Sequence, residues 1–309
     1  MLWTRTPSSR PRGRRRLAAV ASAAVLAVTA GDGGGPLRSP AETGTLTVAT
    51  WNMCGVRDWN CAGTGSGEAK RRRMERLATG AGARVLFLQE TCAADVEAVR
   101  ASLGASWHSE FRAYVRRGRD GRRTAVRCGA PERGQAGYAL LSAYPLSSVR
   151  TVSALQPAVG VRRGILCAFV AAHDVTVCAA HLTPRGGDRA HPSWEFRDDQ
   201  LKALVDAVPG KRVVYGGDLN VDPPGEHNPL SWVWPENAHG THRECDASRP
   251  ARATHVSGHK LDHLFTGLPV LGCRVSGTGV SDHRAVLIRV DTGTGRDRGR
   301  NRRHTITPS

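Results

Sequence analysis

Residues 164–182, GILCAFVAAHDVTVCAAHL, read as two β-strands joined by a tight turn. Apolar runs over Gly164–Ala172 and Val175–His181 flank His173-Asp174, a pair suited to reversing the chain. A turn at that point sets Cys167 opposite Cys178, within reach of a disulfide. The second strand then ends on a polar residue, His181. The same grammar recurs along the chain. A strand over Thr45–Trp51 runs into Asn52, and one over Arg84–Gln89 into Glu90. Arg212–Tyr215 is followed by Asp218 and Asn220. Lys260–Phe265 encloses Asp262, and Asp282-His283 stand just before Arg284–Val290. Ala136–Ser142 is a further strand. Helical spacing appears over Glu68–Thr79, Ala93–Leu103 and Glu195–Val208, the last with Lys202 and Asp206 four apart on one face. Strands outnumbering helices in this way predict a two-sheet core covered by helices. The Arg-rich stretch Arg112–Arg133 shows no periodicity and reads as a surface excursion.

The chain has 309 residues, 40% of them hydrophobic, enough to bury a core and incompatible with global disorder. Residues 1–30 carry six arginines and no acid, then an Ala/Val/Leu run from Leu17 to Val28, then small residues at Val28-Thr29-Ala30. That order is a secretory signal peptide. A Gly/Pro/Ser-rich linker is expected over 31–43, one catalytic-sized domain over 44–291, and a disordered basic tail over 292–309. All eight cysteines lie beyond the signal, as an exported, disulfide-bonded protein requires. None falls in a C-x-x-C pattern, which argues against structural zinc. Besides Cys167–Cys178, the cysteines Cys54, Cys61, Cys92 and Cys128 fall into one group, leaving Cys245 and Cys273 as a pair. The formal charge of +17 drops to +11 without the signal. A basic body of this kind suits a polyanionic partner, nucleic acid or an anionic membrane surface.

Each strand-end polar residue alone has an ordinary explanation. Asn52, Asp218 and Asn220 are good turn formers, Glu90 can neighbour a helix cap, and His181 can be a hydrogen-bonded core histidine. Six such ends in one chain point elsewhere. Carboxylates, an amide and two histidines without cysteine ligands make a hard, oxygen-rich site suited to Mg²⁺, with Mn²⁺ or Ca²⁺ as alternatives. Phosphoryl chemistry needs neutralised oxygen charge, an activated water and a stabilised leaving group. Asp262, a carboxylate in an apolar strand, needs a partner, and a catalytic histidine would be a natural one.

The ordered set Thr50-Trp51-Asn52, Leu88-Gln89-Glu90-Thr91, Gly137–Ser142, Ala180-His181-Leu182, Gly217-Asp218-Leu219-Asn220, Leu261-Asp262-His263 and Ser281-Asp282-His283 resembles the endonuclease/exonuclease/phosphatase superfamily, whose best-known type is deoxyribonuclease I. The resemblance spans about residues 45–290. It implies a four-layer α/β sandwich, two facing mixed β-sheets covered by helices. It also implies a metal held by Glu90 with Asn52 and Asp282. Asp218 would then orient or activate the attacking water, and Asn220 would bind phosphate. His181 would touch the phosphate or protonate the leaving oxygen. His283, paired with Asp262, would serve as general base or cationic clamp. Arg163 loosely matches a phosphate-contacting arginine of nuclease members. Members often carry Tyr after the Asp of the Leu261-Asp262 motif, where His263 stands here.

The expected activity is therefore a secreted, metal-dependent phosphodiesterase, acting as a monomer with no stable protein partner, and nucleic acid is its expected substrate. The alternative is a sphingomyelinase- or phospholipase C-like enzyme working on a phospholipid head group. That enzyme would need an exposed aromatic loop, for which Trp232 and Trp234 are the candidates, with a place in the core as their equal alternative. A catalytically inactive binding protein is the third reading, and the filled catalytic positions weigh against it.

Overall fold

A computed structural model describes residues 44–61, 63–186, 188, 190–225, 233–247 and 251–293. The expected signal peptide, linker and nearly all of the basic tail lie outside the described residues, as does Trp232. The strands are β1 (Thr45–Asn52), β2 (Val85–Cys92), β3 (His108–Ala113), β4 (Val115–Arg117), β5 (Arg123–Ala125), β6 (Ala136–Ser142), β7 (Leu146–Val152), β8 (Gly160–Arg162), β9 (Gly164–Val170), β10 (Val175–His181), β11 (Val213–Asp218), β12 (Arg243–Glu244), β13 (Asp262–Thr266), β14 (Val270–Ser276) and β15 (Ala285–Asp291). The helices are α1 (Gly67–Thr79), α2 (Ala93–Leu103), α3 (Phe196–Asp206) and a short α4 (Pro235–His239). Among the described residues no helix is long and apolar enough to cross a membrane.

Two six-stranded sheets result, ordered β14-β15-β1-β2-β6-β3 and β12-β13-β11-β10-β9-β7. Both are mixed, because β1–β2 and β10–β11 pair in parallel within otherwise antiparallel sheets. The two-residue period of the strands builds the layers. In β1, Leu46 and Val48 face the space between the sheets, while Ala49 and Trp51 face outward under α1 and α2. In β10, Val175, Val177 and Ala179 meet that same central core, while Cys178 and Ala180 pack under α3. Three hydrophobic clusters thus fill the three gaps of a four-layer sandwich. Truncating a leucine such as Leu204 in the α3 gap would cost about 2–5 kcal/mol.

Local chemistry fixes the helix ends. Ser66 caps α1 by accepting a hydrogen bond from the Ala69 N–H at 3.2 Å. Glu195 and Asp198 close a reciprocal capping box on α3, and the expected Lys202–Asp206 pair forms at 2.6 Å.

One expectation needs correction, and two points left open are settled. The Arg-rich stretch Arg112–Arg133 is not a featureless excursion: it supplies β4 and β5, which join β8 in a three-stranded sheet ordered β5-β4-β8. Its strands are only three residues long, too short to show alternation. Edge strands β3, β7 and β14 were not evident either, because they alternate weakly and stay half-exposed. Finally, Trp234 is buried against Phe265 and His263 rather than displayed on a loop.

All eight cysteines are bridged: Cys54–Cys61, Cys92–Cys128, Cys167–Cys178 and Cys245–Cys273. The register pairs Cys167 directly with Cys178, as the hairpin reading predicted.

Candidate active site

The parallel strand pairs deliver polar residues to one end of the sandwich, the usual site position in mixed α/β sheets. In the second sheet the register places His181 beside Asp218, and Asp218 beside Asp262, in one row. In the first, Asn52 ends β1. Its Nδ2 donates to Asp218 Oδ2 at 2.9 Å and ties the two sheets together.

Backbone geometry aims these groups. Gly216 and Gly217 lie at φ of +140° and +142° in the middle of β11. A Cβ at Gly217 would sit 1.9 Å from the Ala180 carbonyl, and one at Gly216 would sit 2.1 Å from that of His263. Only glycine lets β11 squeeze between its neighbours with Asp218 at its tip. Glu90 occupies a bulge of β2 against β6 at φ +48°, and Asn220 lies at φ +53°. Left-handed non-glycine residues are costly, and two of them carry site side chains here.

Around this row the distances are short. His283 Nδ1 meets Asp262 Oδ2 at 2.7 Å, giving Asp262 the partner its apolar strand demanded. His283 Nε2 lies 3.9 Å from Asp218 Oδ2, and His181 Nε2 lies 3.4 Å from the same oxygen. Arg163 Nη2 and His181 Nε2 each stand 4.0 Å from Glu90 Oε1. Asn220 donates from Nδ2 to the Leu182 carbonyl at 2.9 Å, while its N–H caps Asp218 Oδ1 at 3.0 Å. Ser281 Oγ binds the Asn52 carbonyl at 2.8 Å and so seats the loop carrying Asp282. Asp282 lies within 4.8 Å of the Cys54–Cys61 sulfurs, and Cys61 Sγ is 3.7 Å from Glu90 Oε2. The structure therefore brings together all nine residues picked out from the sequence.

Sequence reading missed three others. Tyr114 is fully buried, and its Oη sits 2.5 Å from His181 Nδ1 while accepting the Glu90 N–H at 3.2 Å. An oxygen that accepts one proton and donates its own fixes His181 with hydrogen on Nε2. Lys70, 2% exposed, donates to the carbonyls of Met53, Cys54 and Val280 and to Thr64 Oγ1, all within 3.0 Å. It locks the loops that follow Asn52 and precede Asp282. Its position in the apolar stripe of α1 with Met74 and Leu77 was the available clue. His255 reaches Asp282 Oδ2 at 3.4 Å and packs edge-on against His283.

Burial and charge set the protonation states. Burial raises Glu90 to about 7, opposed by Arg163. Burial also raises Asp218, opposed by the His283 charge. Burial would lower His283, but Asp262 and Asp218 outweigh it and lift the imidazole to about 10. His181 is driven well below the usual histidine range, first by burial and then by Arg163. Burial raises Asp282, yet the His255 hydrogen bond and the His283 charge hold it below its ordinary value.

The site fits a hard divalent cation. Glu90 is an almost buried carboxylate whose nearest cation, Arg163, stays 4.0 Å away, and its surroundings offer oxygen ligands from Asn52 and Asp282. His181 Nε2 and Asp262 Oδ1 are buried with no hydrogen-bond partner in the structure, a state natural proteins rarely tolerate without a ligand or water to meet them.

A two-sheet sandwich with carboxylates, an amide and paired histidines at one end defines a hydrolytic phosphoesterase scaffold. The chain belongs to the endonuclease/exonuclease/phosphatase family, whose model matches residues 49–283. Members of this family are hydrolytic phosphoesterases that generally depend on divalent metal. Similar solved structures share the fold. An endonuclease/exonuclease/phosphatase from Beutenbergia cavernae is 22% identical, covering 81% of this chain and 72% of its own, with a TM-score of 0.59. The human Nocturnin catalytic domain with bound sulfate is 14% identical, covering 79% and 93%, with a TM-score of 0.56. D. rerio TDP2 complexed with a single-strand DNA product is 13% identical, covering 79% and 98%, with a TM-score of 0.54. No curated protein matches the chain significantly.

Proposed function

We propose that this chain is an exported, Mg²⁺-dependent phosphodiesterase of the deoxyribonuclease I type, hydrolysing phosphodiester bonds of nucleic acid. The observation that carries the reading is the position of Asp218, bonded to Asn52 and flanked by both histidines at 3.4 and 3.9 Å. Glu90, Asn52 and Asp282 would hold the cation, which supplies neutralising charge to the phosphate oxygens. Hydrolysis takes one proton from water and gives one to the departing oxygen. Asp218, its proton affinity raised by burial, takes the first. His283, charged and braced by Asp262, supplies the second while stabilising the developing negative charge. This selects the cationic role for His283 over that of general base. His181 is neutral and offers Nε2–H as a hydrogen bond to a phosphate oxygen rather than as an acid. Asn220 and Arg163 complete the phosphate contacts.

Export is supported by the signal-like N-terminus and by four disulfides, which persist in oxidising compartments. Nucleic acid is favoured over lipid by the burial of Trp234, which removes a loop aromatic for docking on a membrane. TDP2, of like fold, is seen with single-strand DNA product. The secreted protein assayed on plasmid DNA, RNA and sphingomyelin, with Mg²⁺ and with EDTA, tests the reading. Turnover of DNA or RNA abolished by EDTA is expected. Turnover confined to sphingomyelin, or persisting in EDTA, would overturn it.

A further inference from the structure

The three-stranded sheet β5-β4-β8 lies next to the site and has no part in the chemistry above. Its register pairs Val115 with Arg162 and Arg117 with Arg123. Directly opposed residues, and those two apart, share a face. Val115, Arg117, Arg123 and Arg162 therefore stand on one side of this sheet. That side forms a wall of a groove of about 420 Å³ lined by Ala113, Val115, Arg123, Tyr138, Arg162 and Arg163. Arg163 closes the near end, 4.0 Å from Glu90. Among the described residues, Arg117, Arg123 and Arg162 have no carboxylate partner within ion-pair distance. A row of guanidinium groups on one face without carboxylates among them presents a positive surface that attracts an anion.

Resting on the phosphodiesterase reading, we infer that this groove is a binding subsite for the phosphate backbone of a nucleic-acid strand leading away from the scissile bond. Spacing supports a polymer. Arg123 on β5 and Arg162 on β8 are two strand intervals apart, about 10 Å, and the groove they line continues beyond Arg163, leaving room for more than one phosphate. A lipid head group presents a single phosphodiester, whereas a nucleotide chain presents one at every step. The exposed apolar side chains closest in sequence, Leu155 and Val159, are aliphatic and do not line the groove. Tyr138 offers an aromatic edge against which a base can rest.

The test uses R123E/R162E and the milder R123Q/R162Q, with thermal melts to confirm folding. Two readouts separate the subsite from the chemistry. Anisotropy of a labelled single-stranded 12-mer, measured in EDTA, reports binding alone. Hydrolysis of bis(p-nitrophenyl) phosphate with Mg²⁺ reports chemistry alone. Binding of the 12-mer is expected to weaken at least tenfold in the reversal variant. Its log–log salt slope should fall by about 1.4, two contacts at roughly 0.7 each, while the small diester turns over at the wild-type rate. Unchanged 12-mer affinity and slope in both variants would overturn the subsite, even with wild-type nuclease activity. Binding to phosphatidylserine vesicles that needs these arginines, with no 12-mer binding, would overturn it in favour of a membrane. Failure of the wild type on the small diester with intact 12-mer binding would count against the phosphodiesterase and leave the subsite standing.

Discussion

Two buried clusters of carboxylate, histidine and base meet on β13, through Asp262 and its neighbour His263, and they behave oppositely. In one, Lys260 Nζ meets Glu244 Oε1 at 2.5 Å and the Asp246 carbonyl at 2.6 Å. His263 Nδ1 meets that same Glu244 oxygen at 2.7 Å, and its Nε2 contacts the carbonyls of Val221 and Lys260. Every member has a protein partner. In the other, His181 Nε2 and Asp262 Oδ1 make no hydrogen bond, and Arg163 stays 4.0 Å from Glu90. Residue types alone would rank the two alike. What separates them is satisfaction: a structural cluster closes on itself, while a working one leaves valences for a substrate.

The largest expected difference is in turnover. Asp218→Asn should lower kcat roughly 10³-fold with a near-native melt, since a positioned base contributes about 10²–10⁴. Turnover within tenfold of wild type would break the assignment. Lys260→Met should do the reverse, leaving the buried Glu244 charge with His263 as its remaining side-chain partner at a cost of about 3 kcal/mol. Calorimetry would show this as a lower Tm, while kcat per folded molecule stays at the wild-type value. A third difference concerns pH. Burial raises Glu90 to about 7, and as the proposed ligand it has to be ionised, so Mg²⁺ affinity should fall about tenfold per pH unit below 7 and level off above it. In the metal-free protein the raised value works the other way on stability. Its contribution is full below the ordinary carboxylate range and is lost as pH rises through about 7. Glu90→Gln should flatten both curves, and calorimetric titration at pH 6 and 8 checks this. The smallest effect belongs to Tyr114→Phe, about tenfold in kcat for one lost hydrogen bond. A merely structural role would leave the His181 ¹⁵N signals alone, whereas a positioning role predicts a mixture of tautomers.

Much of this was legible in the sequence because the strands that matter are buried on both faces and end abruptly in polar residues. β1, β2, β6, β10 and β11 belong to that class, and Asn52, Glu90, His181 and Asp218 stand at such ends, whereas Arg163 was reached only through the family resemblance. The apolar run around Asp262 announced the need for a partner, and His283 supplies it. The edge strands β3, β7 and β14 were hidden because one exposed face dilutes alternation. Tyr114 was hidden for a different reason. Its role depends on a long-range contact with His181, 67 residues on, inside an Arg-rich stretch whose composition masks a buried ring. His263, read as a departure at the active site, belongs to the closed Glu244 cluster instead.

The Cys54–Cys61 bridge bears on which metal the protein acquires. Its sulfurs lie beside Asp282 and, at 3.7 Å, beside Glu90. Oxidised, they offer the neighbouring ion no thiolate, and the site stays hard. Reduced, they would stand as two soft ligands next to a carboxylate, a set that prefers zinc over magnesium by the ordinary affinity series. A chain still reduced would therefore present a second, softer set of ligands beside the proposed site, and closing the Cys54–Cys61 bridge removes it.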